Sequence, residues 1–378
     1  MRPASWIALA ALAAACPADT EPDTGDLMDT DTDTAQDTDT DTDTDTDPPV
    51  HYDYHAPEAC PGATRIRVDG PDGFYNVLPR SLVNFEGRLW VTAASVSEDD
   101  RTWHPALWAP LDCSGEDPPQ WRMVGQGSSN GAYLVAGHDR LLLGTTTGDR
   151  GPEAQFLTAA GDPTGEPLRL DAPASRWGLT DEGFYVFRSW TDERLDLQLI
   201  DADLEPGELR SFEDVPRDGG VALLGPPTQP AIGVVDEEGG RLILQRLDGH
   251  RVELDLPLGR VNIMPPSPHS PFFVRYEVDG PRILLTDGNR ERELALPDWS
   301  FRQLIAPEGE GFWLANQREV YWLDAWDAEL EQIGTIADDP DLRGYAASQI
   351  VGAGEDRVAV LFLNTSHPMT STIRIFER

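Results

Sequence analysis

Lysine is absent from all 378 residues, so every permanent positive charge belongs to one of 29 Lys+Arg positions that are all arginine, set against 67 Asp and Glu. With a formal net charge of −38, the chain repels phosphate backbones and anionic headgroups, which argues against nucleic acid or an anionic lipid surface as a partner. Cysteine is scarce as well: three residues are too few for a disulfide-dense scaffold or a zinc-type cluster. Beyond the first fifteen residues no apolar run is long enough to span a bilayer. There is no glycine-rich phosphate loop and no nucleophile elbow, so no catalytic residue, metal or cofactor is assigned.

What is present begins with MRPASWIALAALAAA, in which Arg2 precedes a short apolar run from Trp6 to Ala15. That run is too short for a membrane helix and ends in small residues, which reads as a signal peptide over residues 1–15. The string LAAAC, ending at Cys16, resembles a bacterial lipobox, whose cysteine becomes diacylated; it carries Ala13 where that pattern has leucine. The resemblance implies a lipoprotein anchored through Cys16 at the outer membrane, facing the periplasm or the cell surface. Ala13 and Ala15 also fit ordinary secretory cleavage, which would give a soluble secreted protein.

Residues 17–59 contain fifteen Asp or Glu and no Arg, with alternating Asp-Thr from Asp29 to Asp47. Such a segment has little apolar surface to bury and repels itself, so a disordered acidic linker is expected over residues 16–59. As a flexible chain it would span roughly 35–40 Å, and its charge would extend it further. The aspartates lack the glycine turn and terminal glutamate of a calcium loop. Of the net charge, the leader contributes +1 and the linker −15, leaving −24 for residues 60–378.

Those residues carry a repeat. Seven short apolar runs each follow a turn rich in Gly, Pro, Asp or Glu: RLWVTAAS from Arg88, RLLLGTTT from Arg140, GFYVFRSW from Gly183, PAIGVVD from Pro230, PFFVRYE from Pro271, GFWLANQ from Gly311 and RVAVLFL from Arg357. The intervals are 52, 43, 47, 41, 40 and 46 residues. A small, apolar strand precedes each run and another β-type segment follows it, and six of the seven then have a more polar strand. Four strands per repeat of this length resemble the blades of the β-propeller superfamily. The resemblance implies an all-β, seven-bladed β-propeller over residues 60–378. The last unit lacks its outer strand, and TRIRVD (residues 64–69) at the other end is available to complete it and remove two exposed edges.

Setting Cys16 aside as an anchor leaves Cys60 and Cys113 as a pair. Cys60 precedes the closing strand and Cys113 follows the third strand of the first unit, which places both on one face at neighbouring blades. A Cys60–Cys113 disulfide is therefore expected, in a compartment that permits one.

Loops between second and third strands, together with the connections between units, form the face on which propellers meet ligands. Trp103, Trp177, Trp190 and Trp299 fall there with Arg150 and Arg194, an aromatic and charged rim suited to a glycan or a protein. Inter-blade packing is the other use open to these tryptophans. SEDDRTW (Ser97–Trp103) resembles a shortened Asp-box of sialidase-like propellers, a structural turn that implies no hydrolysis. The histidines, His55 among them, read as solvated, and Glu308 to Glu310 as turn residues. The expected function is a monomeric, non-enzymatic envelope scaffold that binds a protein or glycan and touches the membrane only by its lipid. The alternative is a sialidase-like or other carbohydrate-active hydrolase.

Overall fold

A computed structural model of the chain describes residues 54–378 apart from 71–73, 98–102, 115–118, 124–131, 146–151, 172–176, 191–193, 216–220, 225–230, 237–239, 248, 257–261, 264–271, 278–280, 288, 296–303, 338 and 365–369; for some strand residues beside these gaps only the backbone is described. The expected signal peptide, Cys16 and nearly all of the expected linker lie outside the described residues.

Among the described residues the strands form seven four-stranded antiparallel sheets, arranged as a β-propeller. Sheet one runs Phe74–Phe85, Arg88–Ser97, Trp103–Pro110 and Arg122–Met123, and sheet two Ala132–Gly137, Arg140–Thr145, Glu153–Leu157 and Pro163–Arg169. Sheet three holds Trp177–Leu179, Gly183–Trp190, Arg194–Asp201 and Pro206–Glu213; sheet four holds Val221–Leu224, Ala231–Asp236, Arg241–Arg246 and Arg251–Asp255. Sheet five comprises Asn262–Ile263, Phe272–Glu277, Pro281–Thr286 and Glu291–Ala295, and sheet six Leu304–Glu308, Gly311–Ala315, Glu319–Leu323 and Leu330–Thr335. The closing sheet takes Tyr345–Gly354, Arg357–Asn364 and Thr370–Glu377 from the C-terminus and Arg65–Val68 from the N-terminal side. Arg65–Val68 pairs antiparallel with Thr370–Glu377, with Ile66 opposite Ile373. First strands pack side by side between sheets one and two, two and three, six and the closing sheet, and the closing sheet and sheet one.

Why the second strands are apolar throughout is visible in sheet six. Successive side chains of a strand point to opposite faces. Along Gly311–Ala315, Phe312 and Leu314 enter the core shared with sheet five, while Trp313 and Ala315 enter the core shared with the closing sheet. Both faces of the sheet are therefore buried against neighbours, and the strand cannot alternate apolar with polar. The fourth strands face outward on one side, as in Pro206–Glu213, where one residue of eight is buried.

Arginine accounts for contacts that a lysine could not make in the same way. Fourth-strand arginines reach the next sheet's outer turn: Arg122 donates to Ala160 O at 3.0 Å and to Asp162 Oδ1 at 2.6 Å, Arg210 to Leu247 O, and Arg292 to both Trp326 O and Ala328 O. One planar guanidinium serves two acceptors at fixed spacing, whereas an ammonium is a single compact donor group.

Candidate functional site

The antiparallel order puts the turns between first and second strands, and between third and fourth, on one face of the ring. Loops between second and third strands, and the connections between sheets, open on the other.

On that second face, Trp103 opens the third strand of sheet one, paired with Val96, and Trp190 ends the second strand of sheet three, paired with Leu195. Their backbones thus lie at the expected loops; their side chains, and the whole of Arg150 and Trp299, lie outside the described residues. Arg194 sits at the same loop of sheet three, exposed, with its Nε 2.6 Å from Asp196 Oδ1. Trp177 is a packing residue: it is 7% exposed, lies in the core between sheets two and three, and covers Gly144. A Cβ at Gly144 would stand 2.6 Å from the indole Nε1, so a glycine there lets the ring lie against the neighbouring sheet. Of the rim residues whose side chains are described, Trp177 is engaged in packing and Arg194 in its pair with Asp196.

The first face carries a feature the sequence did not announce. Ahead of Cys60, the described segment Tyr54–Cys60 is laid across the inner turns of three consecutive sheets. At sheet six, Tyr54 forms an antiparallel bridge with Gly309, whose N–H donates to Tyr54 O at 2.7 Å. The Ala56 N–H then donates to Glu308 Oε2 at 3.1 Å. Asn84 of sheet one donates to Pro57 O at 2.5 Å and to Gly352 O at 3.0 Å, and the Ala59 N–H donates to Ala353 O at 2.8 Å. Glycines make room for the crossing: a Cβ at Gly352 would stand 2.6 Å from Ala56 Cβ, and one at Gly87, where φ is +73°, 2.5 Å from Glu58 O.

Glu308 is not a turn residue but the buried last residue of a first strand, 6% exposed. Burial pushes its carboxyl above the usual carboxylate range, opposed by the Ala56 N–H and by His55, with Asp356 adding to the rise. His55, expected to be merely solvated, has an exposed side chain whose Nδ1 lies 3.1 Å from Glu308 Oε1. Burial first, and then the Glu308 charge, push the Tyr54 phenol up to about 12.

Beyond Ala59 the segment is locked. Cys60 and Cys113 are disulfide-bonded, with Cα atoms 4.9 Å apart and a sequence separation of 53. The buried Arg357 guanidinium donates to Ala59 O at 3.1 Å, Cys60 O at 3.2 Å and Ala63 O at 3.5 Å, and its Nε stands 2.9 Å from Glu377 Oε1. The sequence announced the cysteine pair; Arg357 read only as the first letter of a strand. Its one signal is a charge opening a run in which every other residue through Leu363 is apolar.

No protein family's sequence model matches the chain, and no curated protein matches it. Among solved structures, selenomethionine-substituted virginiamycin B lyase from Staphylococcus aureus is similar at a TM-score of 0.50 and 13% identity, over 83% of this chain and 98% of that one. The Cps50 (Swd1) β-propeller domain of Myceliophteria thermophila is similar at 0.50 and 11%, over 82% and 99%. The β-propeller domain of the Trilobed protease from Pyrococcus furiosus, which has an open velcro topology, is similar at 0.52 and 9%, over 79% and 93%. At these identities the likeness is one of fold.

Proposed function

We propose that this chain is an exported, lipid-anchored bacterial envelope protein whose propeller is a non-enzymatic scaffold for a protein or a glycan. One observation carries the reading: the chain enters the propeller through Tyr54–Cys60 on the inner-turn face and is fastened there by a disulfide. A disulfide is at home in an oxidising compartment outside the cytosol. No helix of the described residues is long and apolar enough to cross a membrane; Cys16, at the end of its lipobox-like string, is the proposed point of attachment. An anchor upstream of Tyr54 pulls on the inner-turn face and leaves the opposite face, with the loops at Trp103 and Trp190, pointing away from the membrane. An acidic monomer held in this way suits recognition of an envelope protein or a neutral glycan and not nucleic acid. Similarity to a lyase and to a protease's propeller domain does not choose a chemistry, because one fold hosts many functions.

Two measurements on the full chain test this. In a bacterial host supplied with labelled fatty acid, the label should enter the protein and be lost in Cys16→Ser. The immobilised protein, offered an envelope extract with bound protein and bound glycan analysed separately, should retain a specific partner that Trp103→Ala with Trp190→Ala releases. Glycan that is bound and cleaved over time would replace the scaffold reading with a carbohydrate-active hydrolase.

A further inference from the structure

We infer that the Cys60–Cys113 bond is a mechanical clip, which diverts tension arriving along the N-terminal chain into sheet one and away from the strand that closes the ring. The inference rests on reading the chain upstream of Tyr54 as a tether.

The need for a clip follows from the order of elements. After Tyr54–Cys60 the next element is Arg65–Val68, the N-terminal contribution to the closing sheet. It holds its neighbour through four paired residues, whereas the other two pairings of that sheet each engage eight residues of Arg357–Asn364. A pull transmitted through residues 60–64 would act directly on this shortest pairing. Peeling it would leave the closing sheet with three strands, expose an edge and open the seam between the chain ends.

The disulfide interrupts that route. Cys60 is bonded to Cys113, which follows the third strand of sheet one, so the covalent line of force jumps from residue 60 to residue 113. Residues 61–112, with the closing strand and three strands of sheet one, then lie off the line. Arg357 seconds this by tying the carbonyls of Ala59, Cys60 and Ala63 to the second strand of the closing sheet, beside the node. Upstream of it, the hydrogen bonds of Tyr54, Ala56, Pro57 and Ala59 spread the pull over sheets six, closing and one. A bond whose whole value was loop entropy could join any two distant points; this one sits immediately before the strand that a tether would strip.

Single-molecule force spectroscopy on the full chain distinguishes the two roles by changing where the molecule is held. In the first geometry the handles are at the N-terminus and at the exposed Glu329; in the second they are at Glu329 and the C-terminus, so that the clip lies outside the line of force. The oxidised protein, the same folded molecules after addition of reductant, and Cys60→Ser with Cys113→Ser are compared. In the first geometry, loss of the bond should lower the force of the first rupture, and the full extension should grow by about 175–190 Å for 53 more residues. In the second geometry the first rupture force should stay the same. An equal fall in both geometries would show a bond that only stabilises the fold, and an unchanged force in the first would remove the clip; either overturns the inference. Adding reductant to molecules already folded keeps the test decisive if the double variant fails to fold. Neither outcome bears on fatty-acid labelling or partner capture, so the clip can fail while the anchored scaffold stands.

Discussion

Two regions of the ring are built differently. Around the seam, the closing sheet has a ten-residue first strand and a second strand in which seven of eight residues are buried, with the disulfide, Arg357, Asn84 and the Tyr54–Cys60 crossing all added to it. Two sheets back along the ring, sheet five opens with a two-residue strand, Asn262–Ile263, and its described link to sheet six is the core around Ile283 and Phe312 together with the Arg292 fork. Elsewhere each sheet is joined to the next by the chain itself, so separation there is limited by covalent connection. At the seam the two ends meet with no peptide bond between them, and cross-links do what the backbone does elsewhere. The disulfide alone removes about 4 kcal/mol of loop entropy from the unfolded chain.

The comparison can be broken most forcefully in the core beside the seam. Trp313 is fully buried between sheet six and the closing sheet, so Trp313→Ala should cost about 3–5 kcal/mol in denaturant unfolding. Leu209→Ala, at a side chain 49% exposed on an outer strand, should stay within about 0.5 kcal/mol. Next comes Arg357→Ala, expected to cost about 3 kcal/mol because buried carbonyls lose a charged donor and Glu377 loses its partner. Arg251→Ala, which removes a surface pair with Glu253 on the far side, should cost less than about 1 kcal/mol.

A gentler break separates the crossing segment from the ring itself. Gly352→Ala drives a methyl against Ala56 Cβ and to 3.2 Å from Glu308 Oε2, and should cost about 1–3 kcal/mol. Hydrogen exchange should quicken at the Ala56 and Ala59 amides while those of sheets four and five are unchanged. An unchanged Ala56 amide would mean that the crossing does not depend on this close approach.

The smallest expected effect is a slope with pH. Glu308 titrates above its ordinary value of 4.5 in the folded protein, so the folded state holds that proton more tightly than the unfolded chain does. Its contribution to stability is therefore fully present below 4.5 and is lost as pH rises through the folded-state value. Glu308→Gln keeps an acceptor for the Ala56 N–H and removes the titration. The variant should gain on the parent protein as pH rises above 4.5, and a parallel pair of stability curves would show that burial of this carboxyl is not felt.

Much of this was legible in the residues. Runs such as GFWLA and RVAVLFL announce strands buried on both faces, and their spacing announces repetition. The short supply of strands at the C-terminus announced where TRIRVD belongs. Trp177 was harder, since a tryptophan beside a loop has the same letters whether it meets a ligand or, as here, covers Gly144. Glu308 was hidden by company, a buried carboxyl in a chain with 67 acidic residues. The crossing of Tyr54–Ala59 was hidden by its chemistry: it is held mainly through its backbone C=O groups, which every residue supplies, and N–H groups, which every residue but proline supplies, and these leave no side-chain pattern to read.

The amino-acid sequence by itself determined the strands, their fourfold grouping, the partner of the orphan last sheet and the pairing of Cys60 with Cys113. These follow from alternation, period and end-to-end bookkeeping along one dimension. Only the tertiary structure decided that the lead segment lies on the inner-turn face, that Glu308 and Arg357 are buried beneath it, and that Trp177 serves packing. Each depends on which groups lose water when distant parts of the chain meet, and desolvation is a property of that meeting and not of any one residue.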